Sequence, residues 1–374
     1  MGCHLPIRDA RVKISLDKNR RSLPRHSGRR ATHSALSSHY PLMLSSLRAS
    51  LTHRLSDFSR CLHASFVFTH GTSRSEIDEL ATLRAAARVG LTADVVLTGL
   101  PRSGSTLVCA LLNLVPGVVA LHEPMPLPDW ASRMTRETMI REIDRFFAEA
   151  RNSLLHTGTA PSRQVDARVP SNPFADEKDA SGLRHARGVL GLLALAPGTV
   201  LAPDFTLVVK HTAGFAALLE QLNEDHPCFA VIREPIATMA SWATIDAPIR
   251  TGRTPAAERL DPRLSAALDK IEGVLDRQVH ILEWYLERFC SLPADRVIRY
   301  EAVVASGGQS LRAIAPAAAE LSEPLSLKND NPLYEREQMI RAGRVLLARS
   351  GVLWDFYHRA NTEQVLAALT DHRS

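Results

Sequence analysis

Val95-Val96-Leu97-Thr98-Gly99-Leu100-Pro101-Arg102-Ser103-Gly104-Ser105-Thr106-Leu107 reads as an apolar strand, a glycine turn and a helix whose first turn carries hydroxyls. A run that short and that apolar is expected to be a buried strand. The first N–H groups of the following helix have no acceptor within it, so they and the helix dipole favour an anion. Gly99 and Gly104 let the backbone curl close to such a ligand, and Ser103, Ser105 and Thr106 add hydroxyl donors. Arg102 brings a permanent charge whose fork suits phosphate-type oxygens. The bland alternative is an ordinary turn capped by serine, but such turns seldom combine two glycines, an arginine and three hydroxyls.

Outward from this stretch the same pattern repeats. Val118–Leu121, Phe205–Val209, Phe229–Ile232 and Arg296–Arg299 read as short buried strands. Helices are expected at Ser105–Leu114, Ala213–Leu222, from Pro235 to Trp242, and in the stretches 262–289 and 333–348. Short apolar strands alternating with amphipathic helices mean an α/β fold with a mostly parallel central sheet flanked by helices. Residues 153–187 and 246–262 read as surface excursions.

Charge divides the 374-residue chain unevenly. Residues 1–60 hold 12 Arg or Lys against three Asp, whereas the rest sums to −4 despite a net charge of +5 overall. The basic excess therefore belongs to an extension, expected to span 1–70, and not to a nucleic-acid-binding surface. That extension reads as a disordered basic tail or as sequence upstream of a start near Met43, with a transit peptide as the alternative. A single domain is expected over 71–374, opening with a capping box at Ser73–Glu76 and a helical stripe through Ile77, Leu80, Leu83 and Ala87. Five scattered cysteines form no C-x-x-C pair, and 15 histidines form no H-x-x-x-H group, so neither disulfides nor a metal is expected. No apolar run is long enough to span a membrane. A cytoplasmic location follows as an expectation, and oligomeric state is left open.

Gly99 to Ser105 and Thr106 fit the frame G-x-x-x-x-G-K-[ST], with Ser105 where the lysine belongs. Phe229 to Ile232 leads into Arg233-Glu234-Pro235, with proline at the favoured first helical position and Ser241 further along that helix. Arg233 then falls at the carboxyl end of its strand, where open α/β sheets take ligands. Together these segments resemble the sulfotransferases that use 3′-phosphoadenosine 5′-phosphosulfate (PAPS). The resemblance runs through roughly 92–358 and implies a P-loop-like three-layer fold, in agreement with the strand-and-helix pattern. It implies that Arg102, Ser103, Gly104, Ser105 and Thr106 hold the 5′-phosphosulfate, that Arg233 and Ser241 hold the 3′-phosphate, and that Arg299-Tyr300-Glu301 matches the family's Y-E segment, with Tyr300 at the cofactor. Leu107 stands where the family often has an adenine-stacking Trp, and Lys328 is a candidate for the work of the family's late basic element.

Sulfonate transfer needs a base to take the acceptor's proton. Glu123, in Leu121-His122-Glu123-Pro124, follows the second strand at the position where protein-tyrosine sulfotransferases and their relatives carry a catalytic Glu. His211 ends the third strand and resembles the cytosolic branch's Lys-Thr-His element, although its Lys210 is adjacent. Glu123 fits more closely, with His122 a third candidate and Lys210 a candidate stabiliser of the transferring group. Trp130 lines an acceptor pocket or packs the core. The implied reaction moves a sulfonate from PAPS to a hydroxyl or amine acceptor with no metal; a glycan, a tyrosine, a lipid and a small metabolite all remain open as acceptors. The rival readings are a P-loop kinase or nucleotide hydrolase, which the missing lysine disfavours, and a non-catalytic adaptor acting through its basic extension.

Overall fold

The structure, a computed structural model, describes residues 94–371. The expected extension 1–70, the capping box at 73–76 and the stripe from Ile77 to Ala87 lie outside the described residues.

Five short strands form one parallel sheet: β1 (Asp94–Gly99), β2 (Val118–His122), β5 (Thr206–Lys210), β6 (Cys228–Ile232) and β7 (Val297–Arg299), in the spatial order β2-β5-β1-β6-β7. Val95 to Leu97, Val119 to Leu121 and Leu207 to Val209 are all buried, the continuous apolar signature of parallel strands covered on both faces. Helices flank the sheet, so the expected α/β class and mostly parallel sheet are observed. Register aligns the carboxyl ends: Leu97 and His122 both pair with Lys210, Gly99 pairs with Val231, and Ile232 pairs with Arg299. The loops that follow these ends therefore lie along one edge of the sheet.

α1 (Ser105–Leu112) leaves the glycine turn and is tied to β2 by one side chain. The Asn113 amide donates to the carbonyls of Cys109 and Ala120 at 3.2 and 2.8 Å and accepts from the Ala120 N–H at 2.8 Å. These bonds stop the helix two residues earlier than Pro116-Gly117 alone would suggest. α2 (Arg136–Thr157) is a long helix that is not among those expected from the sequence. Its signals are nonetheless present: Thr135 caps the Thr138 N–H, Gly158 ends it in a left-handed turn, and Met139, Ile143, Phe147, Ala150 and Leu154 form one buried stripe.

The expected excursion at 153–187 begins later than read, because its first residues complete α2 and then β3 (Thr159–Gln164). β3 pairs antiparallel with β4 (Val189–Ala194), and residues 165–188 loop out between them. Two other expected helices are interrupted. The stretch 213–222 divides at Leu218 into Ala213–Ala217 and Leu219–Asp225, and 262–289 divides into Pro262–Lys270 and α4 (Val274–Phe289), with Ile271 extended and Gly273 entering the second helix. α3 (Pro235–Ala243) begins at its proline as expected, capped by the Glu234 carboxylate on the N–H groups of Ile236 and Ala237. Cys109 and Cys228 are core residues whose thiols burial pushes up to about 12, and Cys290 is exposed. Among the described residues, no helix is long and apolar enough to cross a membrane, and no His, Cys, Asp and Glu group is arranged for a metal.

Asn113→Ala should lower unfolding stability by about 1–3 kcal/mol, since two bonds to β2 and one back onto α1 are lost and backbone groups of Ala120 are left unpaired. A urea midpoint equal to wild type would show that the Asn113 clasp contributes nothing to placing β2.

Candidate active site

The glycine turn is built as the sequence requires. Gly99 and Gly104 both adopt positive φ, at 155° and 91°. A Cβ at Gly99 would fall 2.5 Å from the Val231 carbonyl oxygen, and one at Gly104 would fall 2.6 Å from the Tyr300 ring. Arg102 and Glu123 also have positive φ, 67° and 44°, which is costly for side chains of their kind and is found where surrounding contacts over-determine the backbone. Trp242 pins the turn from behind, its indole N–H donating to the Pro101 carbonyl at 2.6 Å. No side chain caps α1. Gly104, Ser105 and Thr106 line an open cleft of about 1320 Å³ at the carboxyl edge of the sheet. Ser103 does not line it. Its hydroxyl is buried beneath the turn without a hydrogen-bond partner.

Five arginines line the same cleft: Arg102, Arg163, Arg184, Arg233 and Arg253. Arg253 pairs with Glu258 and Asp269 and Arg163 is exposed, which leaves Arg102, Arg184 and Arg233 as the buried or half-buried guanidiniums considered next. Arg233 is 5% exposed; it donates to Asn329 Oδ1 at 2.8 Å, to the Arg102 carbonyl at 3.3 Å, to the Tyr334 hydroxyl at 3.2 Å and to the Lys328 carbonyl. The Tyr300 ring lies 4.8 Å beneath it. Arg102 turns toward α3, donating to Ser241 Oγ at 3.3 Å and to Asn172 Oδ1 at 3.0 Å, with Phe174 stacked 4.8 Å away. Ser241 is buried below Arg102 and does not itself line the cleft. Among the described residues, none of the three guanidiniums makes an ion pair with a carboxylate. Desolvation and the charge of Arg184 push Arg102 down to about 9, still high enough to keep its proton at neutral pH. Cations that are buried or half-buried and held only by carbonyls, amides and hydroxyls suit a polyanionic ligand.

Tyr300 and Glu301 act as scaffold for this cluster. The Tyr300 hydroxyl accepts from the Lys328 N–H at 3.2 Å, while Glu301 Oε1 accepts from the Glu234 N–H and from Asn329 Nδ2. Asn329 in turn orients Arg233. The sequence singled out Tyr300 and Lys328 but not Asn329, Tyr334, Asn172 or Arg184. The last two lie on the excursion, where no periodicity marks any residue.

On the other side of the cleft, Glu123 and Lys210 meet at the ends of β2 and β5. Lys210 Nζ, 4% exposed, donates to Glu123 Oε1 at 2.6 Å, and the Glu123 side chain is 33% exposed toward the cleft. Burial would raise this carboxyl, but Lys210 outweighs it, with smaller help from His122 and His211, and holds it below the usual carboxylate range. Glu123 is therefore ionised at neutral pH. His211 follows Lys210 but faces away: Nε2 accepts from the Met125 N–H at 3.2 Å, the ring packs edge-on to Phe215, and the residue does not line the cleft. Burial pushes both His211 and His122 down to about 3, so both are neutral. His122 does line the cleft, with Nδ1 unpartnered. Trp130 packs on the core and does not line the cleft.

The sequence matches no protein-family model and no curated protein. Among solved structures it is similar to the sulfotransferase STF1 from Mycobacterium tuberculosis H37Rv, at 13% identity and a TM-score of 0.26, over 78% of this chain and 81% of that one. A likeness so slight carries no argument, and the functional reading rests on the cleft.

Gly104→Ala should displace the Tyr300 ring and with it Arg233, because the added methyl overlaps ring atoms and φ is unfavourable. The expected outcome is a folded protein with a lower thermal midpoint and a disturbed Tyr300 environment. An Ala variant identical to wild type by both measures would contradict the tight turn described here.

Proposed function

We propose that the protein is a PAPS-dependent sulfotransferase. The observation that carries the reading is the convergence of two buried guanidiniums, Arg184 and Arg233, and the half-buried Arg102, none paired with a carboxylate, on one cleft with the glycine turn. PAPS carries negative charge at both ends of its ribose, matching a site whose cations are spread between the turn and the end of β6. Ser105 in place of a P-loop lysine supports this over nucleotide hydrolysis, in which that lysine neutralises the β- and γ-phosphates.

In this reading the 103–106 turn and the start of α1 take the 5′-phosphosulfate through N–H groups and the hydroxyls of Ser105 and Thr106. Arg233 takes the 3′-phosphate, and Ser241 acts from beneath the cleft wall by holding the Arg102 side chain. The acceptor oxygen or nitrogen attacks sulfur in line, its bond to sulfur forming as the bond from sulfur to the bridging phosphate oxygen breaks. The acceptor's proton passes to Glu123, and adenosine 3′,5′-bisphosphate leaves with the electron pair. Charge accumulating on the leaving phosphate is met by the turn's fixed donors.

Lys210 has two roles in this scheme. Before transfer it keeps Glu123 ionised and ready to accept a proton. A carboxylate so strongly stabilised is a weak base, however, and becomes a better one only as Lys210 shifts toward the sulfonate oxygens. His211 acts as a positioning residue, fixing the backbone at Met125 beside Glu123.

The test is transfer from PAPS to pooled hydroxyl and amine acceptors in the presence of a chelator, read as the mass gain of one SO₃ group. Transfer should occur, and Glu123→Gln should lower kcat about 10²–10⁴-fold while donor affinity is kept. Because Gln leaves Lys210 buried without its counter-charge, the variant should also melt lower and must be assayed below that midpoint. His211→Ala should retain far more activity than Glu123→Gln. Full activity of Glu123→Gln with a dead but folded His211→Ala would reverse the two roles. Turnover of ATP with magnesium and none of PAPS would overturn the proposal.

A further inference from the structure

Arg184 has no part in the donor contacts assigned above, yet it shares their cleft. It stands on the 165–188 excursion, far in sequence from the glycine turn and from β6. Its backbone is stapled to the residues after α3: the Arg184 N–H donates to the Thr244 carbonyl at 2.9 Å and its carbonyl accepts from the Asp246 N–H at 3.0 Å. The side chain is 4% exposed. One terminal nitrogen donates to Thr244 Oγ1 at 2.6 Å, and Nε, also buried, has no partner. Thr244 Oγ1 donates onward to the Ser241 carbonyl at 2.9 Å, and Ser241 Oγ accepts from Arg102. Arg184 and Arg102 thus flank the last turn of α3 from two sides.

The charge of Arg184 is uncompensated. The carboxylate that acts on it, Asp176, is 75% exposed and paired with Arg187 at 3.4 Å. Arg102 and Arg233 repel it across the cleft. A buried guanidinium with an idle N–H and two like charges facing it destabilises the empty protein, unless a ligand supplies the missing anion.

We infer that Arg184 is a third anion-binding residue, which with Arg233 and the Ser241 turn selects a nucleotide carrying a second phosphate group on the ribose 3′ side. The inference rests on the donor reading above. It assigns to the excursion a role the glycine turn cannot fill: discriminating a nucleoside 3′,5′-bisphosphate from a 5′-monophosphate. A single guanidinium facing a phosphate dianion is weakly selective once solvated, whereas several desolvated donors around one group are not.

Three variants of the full chain test it: Arg184→Met, which keeps length without charge; Arg184→Lys, which keeps charge; and Arg184→Gln, which still donates to Thr244 Oγ1. Calorimetry with chelator present measures Kd for adenosine 3′,5′-bisphosphate and for AMP, and a melting curve reads the empty proteins. For Arg184→Met, bisphosphate affinity should fall about 10–100-fold while AMP affinity changes by less than about threefold. Its empty-state midpoint should equal or exceed that of wild type, because a repelled buried charge has gone. Arg184→Lys should recover part of the lost affinity. Should Arg184→Met not fold, Arg184→Gln carries the same expectation for the two Kd values. Unchanged bisphosphate affinity in the Met or Gln variant overturns the inference and leaves the donor reading standing. So does an equal loss for both nucleotides with a lowered midpoint, which is the signature of a structural residue. A wild-type chain that binds no bisphosphate overturns both.

Discussion

An uncompensated concentration of positive charge governs the arrangement of this protein's cleft. Arg102, Arg184 and Arg233 come from a turn, an excursion and a strand end, and each reaches the cleft without a carboxylate partner among the described residues. Much of the surrounding structure serves to hold these groups together. Trp242 pins the turn that carries Arg102, Glu301 fixes Asn329 beneath Arg233, Tyr300 fills the space between Gly104 and Arg233, and Thr244 restrains Arg184. Such a cluster costs stability when empty and gives it back when a polyanion enters, so ligand binding and folding stability are linked.

The opposite wall works by the reverse principle. Lys210 and Glu123 do form an ion pair, at the ends of neighbouring strands that register brings level. Lys210 is nearly buried and the Glu123 side chain is 33% exposed toward the cleft, so Glu123 is the member of the pair that an entering ligand meets. The cleft thus holds unpaired cations at one end and an ion pair with an accessible carboxylate at the other. Binding a polyanion and moving a proton at separate points is what the proposed sulfonate transfer requires.

The strands and the glycine turn were legible in the sequence because burial on both faces forces continuous apolar runs, and a tight turn forces glycine. Arg102, Arg233 and Tyr300 were legible because each sits immediately beside such an element. Glu123 was already favoured over His211 by the fit of its loop, but both follow strand ends, and nothing in the sequence says that His211 turns to the Met125 N–H. Ser103 and Ser241 were read as direct contacts, yet both side chains lie under the cleft wall, a matter of rotation that spacing does not reveal. Arg184, Asn172 and Asn329 were illegible for another reason. They lie on irregular chain, where tertiary contact alone selects the residue.

A crystal structure of the full chain with adenosine 3′,5′-bisphosphate is the most direct measurement of the central claim. The proposed reading places the 5′-phosphate on the N–H groups of the 103–106 turn and the 3′-phosphate within hydrogen-bond reach of Arg233, with Glu123 and Lys210 facing the open side of the 5′-phosphate. A nucleotide bound elsewhere, or one whose phosphates leave all three guanidiniums untouched, would contradict it.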